Sequence, residues 1–194
     1  MRCLDVGTMD GFWAFEMEHR GAEQVVAIDI DDPEALDWPH SLRHTTSREI
    51  DATKRLRFNL AKEALGSSVS RVLRSVYELD TELGLFDLIV CGDLLLHLKD
   101  PLTALERLVR VCRGSAVVCT PIVRVRFGGR KPLAIFDGST TSNGGFRPTV
   151  LWSACCVPLA LQRSRSESPF FCRQLVVARG RVSVESCGRL SNFL

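Results

Sequence analysis

Residues 4–31, LDVGTMDGFWAFEMEHRGAEQVVAIDID, set two short apolar runs on either side of one helical segment. The first run, CLDV at 3–6, leads into a glycine-bearing turn, and the second, QVVAID at 24–29, ends in acids. Neither run alternates polar with apolar residues. Each therefore reads as a strand buried on both faces, which is the habit of parallel sheets. Parallel neighbours need a crossover of a dozen or more residues. FWAFEMEHRG at 12–21, stopped by Gly21, supplies it as a helix. A chain that opens this way is committed to a β-α-β unit and to an open sheet covered on both sides.

The alternation continues. TKRLRFNLAKEALG at 53–66 places Leu56, Leu60 and Ala64 on one helix face, with Gly66 as its stop signal. RVLRSVY at 71–77, FDLIVCGD at 86–93 and SAVVCTP at 115–121 read as the third, fourth and fifth strands. Pro101 opens a further helix, PLTALERLVRVCRG, with Gly114 beyond its end. The expected fold is α/β, doubly wound, with a mostly parallel sheet that is divergent or shortened at both ends. Past residue 122 the pattern weakens. Residues 127–146 read as a long loop and 148–161 as either helix or strand. Residues 171–180 read as a late strand, and 181–194 as a frayed tail.

Composition narrows the function classes. The 194 residues are 45% apolar and 25% charged, which suits one globular domain. A net charge of +2 gives no electrostatic reason to expect a nucleic acid or a membrane surface as partner. The eight cysteines include no C-x-x-C pair. Cys3, Cys91, Cys112 and Cys119 lie in or beside apolar runs, where free cysteine behaves as a small hydrophobe, so no metal site is expected. No signal peptide is evident, and no apolar run approaches the roughly 20 residues of a spanning helix. The expectation is a reduced, cytoplasmic enzyme or binding domain with no membrane partner. No oligomeric state is implied.

Open parallel sheets bind ligands beyond the carboxyl ends of their strands, where the strand order reverses. A dinucleotide would want G-x-G-x-x-G there, but the corresponding residues are Gly7, Met9 and Phe12. Asp5 and Asp10 would also repel a pyrophosphate. Acids suit a ligand with cationic groups, and Asp29 follows the turn at about the interval at which an acid accepts hydrogen bonds from a ribose. A ligand with a ribose, an ammonium and a sulfonium meets these demands: S-adenosylmethionine. The candidate cofactor residues are then Asp5, Gly7, Thr8, Asp10 and Gly11 on the first loop and Asp29 for the ribose. Ile30 is placed on the adenine face, Val76 and Tyr77 at its edge, and Cys91 toward the methyl group. Asp93 and His97 are the candidates on the reacting side, with His97 orienting an acceptor or taking its proton. Each has a structural alternative. Asp5 holds the turn, Asp10 caps a helix, Asp29 is a solvated strand-end acid, and Tyr77 and His97 pack. Asp87, at the opposite strand end, reads as structural.

The run D-x-G-T-x-D-G at 5–11, followed by an acid-ended second strand, resembles the class I methyltransferases. More narrowly, LDVGTMDGFWAFEMEHRGA and FDLIVCGDLLLHLKDPLTAL resemble the group that includes the tRNA wobble-uridine carboxymethyltransferases, over roughly residues 2–121. Members of that group carry a tyrosine before the histidine and an arginine after it, where this sequence has Leu96 and Leu98. The resemblance implies a Rossmann-like methyltransferase domain over 1–180 that uses S-adenosylmethionine. A small-molecule acceptor is expected, because no basic stripe with interleaved aromatics marks a nucleic-acid path. A tRNA acceptor follows from the narrower resemblance. A non-catalytic domain that binds adenosyl ligands is the reading from another class.

Overall fold

Five of the apolar runs lie side by side in one parallel sheet. The computed structural model describes residues 1–37, 40–123, 134–137, 149–153, 170–178 and 181–186. The strands are β1 (Arg2–Val6), β2 (Gln24–Asp29), β3 (Ser70–Leu73), β4 (Phe86–Gly92) and β5 (Cys112–Val123), in the order β3-β2-β1-β4-β5. Helices α1 (Phe12–His19) and α2 (His40–Leu65) connect β1 to β2 and β2 to β3. Helix α3 (Pro101–Val111) connects β4 to β5. The chain winds outward from β1 to β3, then returns to place β4 against the other side of β1. The strand order therefore reverses between β1 and β4, as a doubly wound sheet requires.

The pleat sorts each strand's side chains between two covers. Leu4 and Val6 join Ala104, Leu108 and Val111 of α3, together with Ile89 and Cys91. Cys3 joins Ala14, Phe15 and Met17 of α1, Phe58 of α2, and Leu88 and Val90. Asp5 shares the parity of Cys3, so it lies beneath α1, buried to 1% exposure.

Several boundaries differ from the sequence-based reading, each for a local reason. The second helix begins at His40, a polar half-helix ahead of the apolar pattern. Its packed row is Lys54, Phe58 and Ala61, while Leu56 and Leu60 are exposed. The one aromatic therefore orients the helix, against the row of leucines. The third strand ends at Leu73 because a capping box follows it. The Ser75 hydroxyl accepts from Tyr77 N, and the Glu78 carboxylate accepts from Ser75 N. Val76 and Tyr77 thus sit on a single helical turn and not on the strand.

Gly114 lies within β5, not beyond α3 as a stop. The register shifts between Phe86 and Leu88, and β5 carries its extra residue there. A Cβ at Gly114 would stand 2.2 Å from the carbonyl oxygen of Asp87. Asp87 is structural, as expected. It accepts the Arg2 backbone N–H and the Nε and Nη2 donors of Arg113, and Arg113 holds its carboxyl well below the usual range.

The C-terminal part carries more strand than expected. β6 (Ala134–Asp137) falls inside the expected loop and pairs antiparallel with β7 (Thr149–Ser153), so the described part of the 148–161 stretch is strand, and 154–161 lie outside the described residues. β7 joins the end of β5 at Ile122 and Val123 and lies beside the Leu95–His97 turn. The late strand is β8 (Phe170–Ala178), antiparallel along Ser115–Val123 of β5. Residues 181–186, expected as the start of a frayed tail, form β9 (Arg181–Ser186) against β8. Residues 138–148, 154–169 and 187–194 lie outside the described residues. No helix among the described residues is long and apolar enough to cross a membrane.

The bulge is testable. Gly114→Ala forces two backbones apart and is expected to cost at least about 2 kcal/mol of stability in urea denaturation. A variant as stable as the parent would show that β4 and β5 do not approach as closely as the register requires.

Candidate cofactor site

The turn after β1 is fastened from below and behind. Gly7 N and Thr8 N both donate to the Ile28 carbonyl, at 3.0 and 3.1 Å. Asp5 Oδ2 accepts the Thr8 hydroxyl at 2.7 Å and the Ala14 N–H at 3.1 Å, tying the end of β1 to the first turn of α1. Burial pushes the Asp5 carboxyl up to about 7, against the lowering by its two donors. Gly11 caps α1 at φ 92°, and a Cβ there would meet Phe15 at 2.4 Å and Phe58 at 2.7 Å. That position is glycine for packing between α1 and α2.

In front of this turn a cavity of about 340 Å³ opens at the carboxyl ends of β1, β2 and β4. It lies at the reversal of strand order. Gly7, Asp29, Ile30, Val76, Tyr77, Asp93 and His97 all line it, so seven of the sequence-predicted residues meet in one place. Asp5, Thr8, Gly11 and Cys91 are buried in the packing around it and do not line it. For Cys91 the reason is parity: it alternates onto the α3 side of β4, where burial pushes its thiol up and keeps it protonated. Asp10 faces a separate open groove of about 710 Å³ between α1 and α2, shared with Phe12, Glu16 and Leu65.

The polar groups of the cavity are held. Asp29 accepts the Met9 and Ile30 N–H groups and the Lys54 ammonium. The Tyr77 hydroxyl donates to Asp37 Oδ2 at 2.6 Å, and that same oxygen accepts Lys99 N at 2.8 Å. Asp37 thereby straps the segment after β2 to the segment before α3 across the cavity mouth. Burial first, then the Asp37 bond, raises the Tyr77 hydroxyl far above the ordinary tyrosine value. Asp93 N donates to the Cys119 carbonyl at 2.9 Å, and burial raises the Asp93 carboxyl. Both Met9 and Asp93 stand in the left-handed region, at φ 52° and 50°. Both line the cavity.

Lys54, Asp37, Arg74 and Leu94 line the cavity without having been singled out from the sequence, and Leu98, noted there only as a departure from the resembled group, lines it too. Lys54 had a signal: it lies one helical turn before Phe58, on the face that packs. Asp37 had none, because a single acid in an irregular segment carries no periodicity.

Residues 1–138 match the family model described as a methyltransferase domain. Among solved structures, the fold is similar to the N-terminal domain of EvdMO1 with SAH bound. The TM-score is 0.61 at 18% identity, over 93% of this chain and 75% of that one. The same domain in the presence of SAH and D-fucose gives a TM-score of 0.60 at 18% identity, over 93% and 76%. At this identity the likeness is one of fold. The chain spans 26% of the length of the longer EvdMO1 structure, with 66% of its own residues aligned at 21% identity and a TM-score of 0.49. No curated protein matches the chain.

Asp5 makes the turn pH-sensitive. Its carboxyl is raised in the fold from 3.8 to about 7, so the folded state holds the proton more tightly than the unfolded chain. Its stabilisation is full below about pH 4 and is lost as pH rises through about 7. Asp5→Asn keeps an acceptor for Thr8 and Ala14 and is expected to flatten most of that slope. Melting temperatures of both proteins from pH 4 to 8 decide it, and equal slopes would remove Asp5 as the titrating group.

Proposed function

We propose, because this chain belongs to the methyltransferase-domain family, that it transfers a methyl group from S-adenosylmethionine to a small-molecule acceptor. The observation that carries the proposal is the single cavity at the strand-order reversal that gathers Gly7, Asp29, Ile30, Val76, Tyr77, Asp93 and His97. Its size lies in the ordinary range for small-ligand sites, about 300–1,000 Å³. The EvdMO1 domain of similar fold was solved with SAH bound, which supports the same nucleoside here.

The donor set fits that cofactor. Asp29 is a carboxylate at the end of β2, an acceptor for ribose hydroxyls. Ile28, Ile30, Val76 and Leu98 offer apolar surface for a purine. Gly7 and Gly92 bring backbone close to the cavity between β1 and β4. Bound there, S-adenosylmethionine supplies a methyl on a sulfonium, an electrophile with its own leaving group. The protein's part is then mostly orientation of the acceptor and exclusion of water. His97 ends the turn over the carboxyl edge, beside Asp93, and is the residue assigned to accept the acceptor's proton. Asp93, with its carboxyl raised by burial, orients the acceptor from the end of β4. The narrower carboxymethyl chemistry has less support. Leu96 and Leu98 flank His97, and Leu98 lines the cavity where that group carries an arginine.

Two substitutions test the assignment. Asp29→Ala is expected to weaken S-adenosylhomocysteine binding by roughly 1.5–3 kcal/mol, the scale of hydrogen bonds to a charged group. Unchanged affinity in calorimetry would sink the ribose role. His97→Ala is expected to leave that affinity nearly intact and to lower single-turnover rate by about 10²–10⁴ against a responsive acceptor. An unaltered rate would leave His97 as packing.

A further inference from the structure

The carboxylate assigned to the ribose is already heavily engaged. Asp29 Oδ2 accepts the Met9 N–H at 2.7 Å. Asp29 Oδ1 accepts the Ile30 N–H at 2.7 Å and the Lys54 ammonium at 3.0 Å. A carboxylate offers about four lone-pair sites, so Oδ1 is saturated and Oδ2 has room for one more donor. A ribose that donates both vicinal hydroxyls to this acid needs two. The two backbone donors are built into the turn and the strand end, and neither is free to leave without remaking the fold. The ammonium is the exchangeable one. It stands at the end of a flexible stem from α2 and also donates to the Ile30 carbonyl, which keeps it anchored when it leaves Oδ1.

This pair is not an ordinary surface contact. The Lys54 and Asp29 side chains are 7% and 11% exposed, and both line the cavity. Pairs held out of water are screened little by salt, so separating them has a real cost. We infer that Lys54 is an affinity- and specificity-determining residue of the cofactor site: it competes with the ribose for the Asp29 carboxylate. With Lys54 on Oδ1 the acid holds one hydroxyl. The second hydroxyl contributes only by displacing the ammonium, so the protein discriminates weakly between a ribose and a deoxyribose at that position. The inference rests on the proposed adenosyl-binding function.

The test is calorimetry of S-adenosylhomocysteine and of its 2′-deoxy and 3′-deoxy analogues, with the parent protein, Lys54→Met and Lys54→Gln. Methionine matches the lysine stem and removes the competitor. It is expected to tighten S-adenosylhomocysteine binding by about three- to tenfold, the net scale of one hydrogen bond. The penalty for losing a hydroxyl is expected to grow in the same variant. Glutamine keeps a weaker, neutral donor and is expected to fall between the two, and it carries the test if the methionine variant does not fold. Binding that is equal or weaker in a folded variant would overturn the competition and make Lys54 a support of Asp29. A folded parent and a folded variant that both fail to bind S-adenosylhomocysteine would instead overturn the adenosyl reading, and this inference with it.

Discussion

The pairing of β1 on both edges is the constraint from which the site follows. β1 is five residues long and hydrogen-bonded in parallel to β2 on one side and β4 on the other. All three strands therefore end at the same edge of the sheet. No side chain had to be recruited over a distance: Gly7 and Asp93 directly follow β1 and β4, and Asp29 is the last residue of β2. The register enforces this, since Val6 sits opposite both Ile28 and Cys91. A slip of one residue would turn Leu4 and Val6 from the α3 cover to the α1 cover and carry Asp5 out of its place under α1.

That economy explains what was legible from the sequence. Continuous apolar runs mark buried parallel strands with little ambiguity, and the N-terminal half was read from them. Residues at the strand ends were placed for the same reason. The misplacements arose where a local bond overrides periodicity. Ser75 and Glu78 cut the third strand short with a capping box, although Val76 and Tyr77 continue its apolar character. Phe58 outweighs Leu56 and Leu60 because one aromatic fills the space between α1 and the sheet, against Phe15 at a ring separation of 5.0 Å. Lys54 then follows from geometry, since the same rotation of α2 that buries Phe58 turns Lys54 toward the end of β2.

Among the described residues, the lining comes from positions 6–98, in the parallel sheet and its connections. Beyond β5 the chain turns back antiparallel as β8 and β9, and β7 comes to lie beside the Leu95–His97 turn. This late part of the chain thus comes next to the turn that holds His97. It is also where periodicity is weakest, because short antiparallel strands are specified by pairing and not by continuous apolar runs.

The two acids that frame the first turn divide their work by environment. Asp5 is sealed under α1, with two donors and no cation, and burial raises its carboxyl to about 7. It binds the turn to the helix whether or not it carries a proton, since both forms keep an oxygen to accept. Asp29 stands at the rim, where two backbone N–H groups and the Lys54 ammonium hold its oxygens. An acid held by fixed donors keeps its orientation before any ligand arrives, which lowers the ordering cost of binding. The same donors reduce the lone pairs left for the ligand. Preorganisation and open capacity therefore compete at one carboxylate, and in this chain Lys54 is the residue through which that balance is struck.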